Sequence, residues 1–146
     1  MSEHWPDLAG RIAGGNHVLP VRVYFEDTDF SGLVYHGSYV RWFERGRSDW
    51  LRLLGVRHED LFAGTEPAAF AVRRLTIDYL KPARIDDALE IATSLESQTK
   101  VTLCLHQEVR RDGVTLAQAK VLVVLVSSKG RPLRIPASLK LAIQGP

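Results

Sequence analysis

The sequence predicts an α+β fold, one long helix laid against a long antiparallel sheet, in the order β-α-β-β-β-β. Three observations carry this prediction. Tyr39, Phe43, Gly46, Trp50 and Leu53 recur at steps of four, three, four and three, the spacing of one face of a helix. Several other stretches alternate apolar and polar residues with the period of a half-buried strand. The Asp112-Gly113 pair between the last two is a tight-turn signal, which makes those strands a hairpin.

The elements follow in order. Residues 1–17 contain Pro6, Gly10, Gly14 and Gly15 with no sustained period, and are expected to form a flexible arm ahead of one domain over residues 18–146. The first strand is expected over Val21 to Glu26, where Val21, Val23 and Phe25 alternate with Arg22, Tyr24 and Glu26. The helix is expected from about Ser38 to Leu54. Arg41, Glu44, Arg45, Asp49 and Arg52 lie mostly off its apolar stripe, and Trp42 widens that stripe. Gly46 costs about 1 kcal/mol relative to alanine inside a helix, which suggests that the helix approaches a sheet closely there. Gly55 stands where a helix stop is expected.

The second strand runs from Phe70 to Leu80, with Leu75, Ile77 and Tyr79 on one face, and Lys81-Pro82-Ala83 ends it. The third opens after Asp86-Asp87 and carries Leu89, Ile91 and Leu95. The fourth carries Val101, Leu103, Leu105 and Val109. The fifth, Leu116 to Val126, is apolar on both faces from Val121 onward, as a central strand or one covered by a partner would be. Pro132 and Pro136 precede a short helix expected at Ala137 to Ile143. One helix covers only one sheet face, so dimerisation is the simplest way to cover the other face or a free edge.

Composition narrows the function. The 146 residues are 45% hydrophobic and 25% charged, which suits one domain with its own core. A net charge of +2 is too small to argue for nucleic-acid binding. No apolar run reaches the ~18–20 residues of a membrane helix. The first residues lack a basic segment followed by an apolar one, so no secretory signal is expected. Cys104, the only cysteine, excludes an intramolecular disulfide and reads as a small buried hydrophobe. Together these features point to a cytoplasmic protein. The five histidines are scattered, with no HExxH or paired cysteines, so neither a metal nor a cofactor is expected. There is no GxSxG for a serine hydrolase and no glycine-rich phosphate cradle.

The most informative segment is Asp27-Thr28-Asp29-Phe30-Ser31-Gly32-Leu33-Val34-Tyr35-His36-Gly37-Ser38-Tyr39. It sets a carboxylate just ahead of a helix N-terminus. That end of a helix has unpaired N–H groups and a partial positive charge, which can polarise a carbonyl. The acid can act as base or nucleophile. From spacing alone, Asp29 could equally cap a turn, and His36 could be an ordinary polar residue near the helix start. Gly32 suits a backbone turn. Tyr35 could line a pocket or simply pack.

The run from Val21 to Arg47 closely resembles the YbgC / 4-hydroxybenzoyl-CoA group of acyl-CoA thioesterases, and a second block over Tyr79 to Asp87 extends the likeness. It spans about Leu19 to Leu139. The resemblance implies a hotdog fold, a long antiparallel sheet wrapped around one central helix, paired edge to edge in a homodimer or homotetramer with sites at the interface. It also implies hydrolysis of an acyl-CoA, with an acyl carrier protein as an alternative carrier. The catalytic aspartate of the family falls on Asp29. His36 falls where the backbone N–H meets the thioester carbonyl, with Gly32, Tyr35 and Gly37 around the substrate. Arg73, Arg74, Lys81, Arg84, Lys129, Arg131 and Arg134 are basic residues that could contact the CoA phosphates, the first three being the chosen candidates, and Glu44 is a fallback helix-borne acid. Phe30 and Ser31 depart from the small residues common in the family, and Gly46 from its usual alanine. Two other readings remain: an acyl-binding module without turnover, and another hotdog enzyme such as a dehydratase.

Overall fold

The computed structural model describes residues 8–56, 61 and 66–137. Among these, the chain forms strands β1 (Arg11–Ala13) and β2 (Asn16–Arg22), then helix α1 (His36–Leu53). Strands β3 (Ala68–Tyr79), β4 (Ala88–Gln98), β5 (Thr102–Arg111), β6 (Val114–Ser127) and β7 (Pro132–Leu133) follow. The strands join in one sheet of order β1-β2-β4-β5-β6-β3, and β7 pairs with β6. Every pairing is antiparallel. Helix α1 lies across β2, β4 and β5. This is the hotdog arrangement.

The core sits between helix and sheet. Trp42 and Phe43 from α1 are fully buried with Leu89, Ile91, Leu103, Leu105, Val109 and Val121 from the strands. Burying a side chain of this size contributes about 1.5–3 kcal/mol. The expected stripe holds at Tyr39, Phe43, Gly46 and Trp50, all buried. At the end of the helix it rotates: Leu51 is buried, whereas Leu53 is exposed. Gly55 follows the helix at φ +88°, the left-handed conformation that glycine adopts freely.

Gly46 lies where the helix nearly touches the sheet. A Cβ there would lie 3.0 Å from Ile91 Cγ2, 3.1 Å from Thr93 Oγ1 and 3.2 Å from Gln107 Nε2. Gln107 is fully buried and ties the two layers together. Its Nε2 donates to the Phe43 carbonyl at 2.9 Å and to Thr93 Oγ1 at 2.8 Å, while Oε1 accepts from Arg47 Nη1 at 3.1 Å. Gly46→Leu is expected to cost about 1–3 kcal/mol, because the Ile91 methyl and the hydrogen-bonded Thr93 and Gln107 side chains must give way. A lowered urea midpoint checks this. A midpoint at the wild-type value would show that the helix has room at this point.

Two segments differ from the sequence expectation. The first strand ends at Arg22, and Phe25–Asp27 forms a 3₁₀ turn. The cause is Asp27, whose Oδ2 accepts from the Tyr24 N–H at 2.9 Å and turns the chain before the aromatic pair can extend the strand. Phe25 is consequently exposed, while Val23 keeps its inward place. Residues 11–17, expected as part of the arm, instead form a hairpin with β2, closed by Gly14 and Gly15 at positive φ. This hairpin is fastened to α1. His17, fully buried, sits 2.6 Å from Asp49 Oδ2, and the Gly10 N–H donates to the same oxygen at 2.7 Å. The helix expected at Ala137 to Ile143 lies almost wholly outside the described residues.

The remaining strands match the expectation closely. Asp112 and Gly113, at φ 50° and 79°, close the β5–β6 hairpin. Strand β6 lies between β5 and β3, the central position its apolar run suggested. Among the described residues, strand β3 is an edge, paired with β6 on one side. Cys104 is half-buried on the face away from the helix. Burial and the neighbouring Glu96 carboxylate push its thiol pKa up, the opposite of a reactive cysteine.

Candidate active site

The segment after β2 is a hairpin-like loop that delivers one acid to the start of α1. Asp27 is spent on structure. Its carboxylate holds Tyr24 and lies 3.7 Å from Arg41, and its carbonyl accepts from the Tyr35 N–H and the Ser38 hydroxyl. The Thr28 hydroxyl closes the turn by donating to the Phe25 carbonyl at 2.8 Å. Thr28 then pairs with Val34 across the loop, and Leu33 with Arg84. Between them the chain reverses over Asp29 to Gly32. The Asp29 N–H donates to the Leu33 carbonyl at 3.0 Å, and the Gly32 N–H to the Asp29 carbonyl at 3.1 Å. Gly32 adopts φ +82°, which glycine tolerates without strain.

Asp29 therefore stands exposed at the base of a loop tip. Its Oδ1 accepts from the Ser31 N–H at 2.8 Å and from the Ser31 hydroxyl. The hydroxyl bond is the largest cause holding the carboxyl below the ordinary aspartate range, followed by the N–H bond. Both bonds fall on Oδ1.

The helix begins at His36 with Tyr35 as its cap, and no side chain caps it. The Ser38 N–H turns back to the Tyr35 carbonyl. Among the described residues, the His36 and Gly37 N–H groups have no acceptor. The tip of α1 thus offers two donors and the positive end of the helix dipole. Asp29, Tyr35, His36, Tyr39, Tyr79 and Lys81 all line one open cleft of about 310 Å³ at this tip.

Of the residues picked out in the sequence, Asp29, Tyr35, His36 and Lys81 come together in this cleft. The His36 ring packs edge-to-face on Tyr79, with centroids 4.8 Å apart, so its side chain is engaged while its N–H stays free. Gly32 shapes the loop and does not line the cleft. Gly37 makes room for a ring: a Cβ there would come within 2.3 Å of the Tyr35 hydroxyl oxygen. Arg73 and Arg74 are exposed on β3 at the bulge between Val72 and Arg74, away from the cleft. Glu44 accepts from the Ser48 hydroxyl and borders a separate cavity of about 140 Å³ with Phe70 and Leu105. Its position is roughly 12 Å up the helix from His36 by helical rise.

The sequence reading missed Tyr79 as a cleft residue. Its hydroxyl lies 3.4 Å from the His36 carbonyl, and it stacks edge-to-face on Tyr39 at 5.2 Å. Desolvation raises the pKa of both tyrosines, so both stay neutral and hydrogen-bonding in the cleft wall. The signal was present in Tyr79-Leu80-Lys81-Pro82, a strand end that the proline forces to stop beside the helix start. Among the described residues, no cluster of three His, Cys, Asp or Glu side chains is arranged for a metal, and no helix is long and apolar enough to cross a membrane.

Comparison with known proteins identifies the family. Residues 31–118 match the family model of the thioesterase superfamily, a span that begins two residues after Asp29. The acyl-CoA thioester hydrolase YbgC of Escherichia coli O6:H1 is 44% identical over 122 residues, 82% of this chain and 90% of the relative. The acyl-CoA thioesterase YbgC of Haemophilus influenzae is 38% identical, over 85% of this chain and 91% of its own. Among solved structures, a probable thioesterase from Bartonella henselae superposes with a TM-score of 0.81 at 38% identity, covering 83% of this chain and 99% of that one. The chain belongs to the thioesterase superfamily.

Proposed function

We propose that this enzyme hydrolyses acyl-CoA thioesters in the cleft at the tip of α1. The observation that supports the reading most is the shared cleft: the ionised carboxylate of Asp29 and His36, the first residue of the helix with its unpaired N–H, border one space. The thioester oxygen would be received by the His36 and Gly37 N–H groups, an interaction worth roughly 3–4 kcal/mol per well-placed donor as charge develops. Asp29 Oδ2 would take a proton from water as it attacks, or attack the carbonyl itself to give a mixed anhydride that water then opens. In either route the CoA thiolate leaves. Lys81 supplies positive charge at the rim for the anionic carrier. The YbgC relatives, both acyl-CoA thioester hydrolases, support the choice of substrate.

Two further parts belong to this reading. The open edge of β3, twelve residues long, favours a homodimer, or a homotetramer built from dimers. The setting is the cytoplasm, with an acyl carrier protein as a second carrier. The test is thiol release from a panel of short, long and aromatic acyl-CoAs, read with a thiol reagent. Turnover of at least one class is expected. Tight binding in calorimetry with no thiol released from any of them would leave a binding module in place of an enzyme.

A further inference from the structure

We propose that Ser31 is a positioning residue for the reaction, pinning Oδ1 of Asp29 so that Oδ2 is presented to the thioester in one fixed orientation. The proposal rests on the reading of Asp29 as the reacting acid. An exposed aspartate ordinarily moves among three side-chain rotamers. Asp29 is exposed and forms no ion pair with any described residue. Its strongest hold is Ser31, which places two donors, N–H and O–H, on the same oxygen, and the backbone N–H groups of Asp29 and Leu33 add smaller stabilisation of the anion. The loop is built for this. Gly32 at positive φ reverses the chain, and the bonds between Asp29 and both Gly32 and Leu33 fix the turn. Residue 31 is therefore carried back over the carboxylate.

Two donors on one oxygen do two things. They freeze the rotamer before substrate arrives, so less freedom is lost in reaching the transition state. They also favour the anion, and the carboxyl stays ionised to lower pH than an ordinary aspartate. The backbone N–H bond survives any substitution at residue 31 that keeps the turn. The hydroxyl bond is what this side chain adds.

The experiment measures thiol release against pH for the full chain, with kcat and KM read separately, in Ser31→Ala and Ser31→Thr. The titratable groups that line the cleft with Asp29 are His36 and Tyr39 from α1, Tyr35 just before it, and Tyr79 and Lys81 from the end of β3 and beyond. Neither substitution alters any of them, so a change in the acid limb between variants reports Asp29. Ser31→Ala is expected to lower kcat about tenfold, the worth of one hydrogen bond to a charged group, with KM nearly unchanged. Losing a donor to the anion raises the carboxyl pKa, so the acid limb of kcat/KM should move to higher pH. Ser31→Thr keeps the hydroxyl and should restore both. A Ser31→Ala enzyme with wild-type kcat and an unmoved limb overturns the proposal, as does a loss that threonine fails to restore. Asp29→Asn separates the two levels. If it retains activity, the underlying reading falls. If it is inactive while Ser31→Ala behaves as wild type, only the role of Ser31 falls.

Discussion

Asp29→Asn is expected to reduce acyl-CoA hydrolysis by about a hundredfold to ten-thousandfold, the range that a positioned acid or base contributes. The change is nearly isosteric. The asparagine carbonyl can still accept from Ser31, so the loop has no reason to rearrange. What disappears is the negative charge. The amide cannot take a proton from water at neutral pH, and it is a poor nucleophile, so both routes open to Asp29 close together. Binding should suffer far less, because the donors at His36 and Gly37 and the charge of Lys81 remain. The expected signature is therefore a fall in kcat with KM close to wild type. The side chain is exposed, so the melting temperature should hardly move. A folded variant that hydrolyses at the wild-type rate would remove Asp29 from the chemistry. Glu44 would then be the next acid to test, although its bond to Ser48 and its place up the helix put it outside the cleft.

Phe43→Ala is expected to cost about 3–5 kcal/mol of stability, a large part of the about 5–15 kcal/mol that a domain of this size has in total. Phe43 is fully buried at the centre of the helix–sheet contact. Truncation removes its transfer free energy and leaves a hole. The hole cannot close easily, because the helix is held at that level from two directions. The Phe43 carbonyl is bonded to Gln107, and at Gly46, one turn on, even an added Cβ would crowd Ile91 and Thr93. A helix so fixed cannot slide down to fill the space. The check is a urea titration, where the midpoint should fall sharply with an unchanged slope. A loss below about 1 kcal/mol would mean that the layer repacks around the gap.

The helix and four of the strands were legible because burial imposes a period on them. Tyr39, Phe43, Gly46 and Trp50 mark the buried face directly, and a glycine inside that stripe signalled a contact too close for a side chain. Periodicity is blind where a local bond competes with it. Tyr24 and Phe25 have the composition of a strand, yet the Asp27 carboxylate bends the chain there. Arg11–Ala13 is too short to show a pattern, although Gly14-Gly15 was a readable hairpin turn. The site was legible as far as it is local. Asp29 and His36 are seven residues apart in one loop, so the sequence places them together. Tyr79 arrives from another strand, where Pro82 marked the strand end but only the fold brings that end beside the helix start. Arg73 and Arg74 show the reverse limit. Basic and near the matched block, they lie six and five residues before Tyr79 on an extended strand, roughly 17–20 Å from the strand end that reaches the cleft.

The fastening of the N-terminal hairpin has a practical side. One oxygen of Asp49 serves both His17 and the backbone at Gly10, at the end of α1 remote from the cleft, roughly 20 Å from His36 by helical rise. Trimming the chain past Gly10 strips that acid of one donor, and trimming past His17 strips it of both, leaving an unmatched charge beside the apolar interior. A shortened protein would thus surrender heat resistance well before it lost its chemistry.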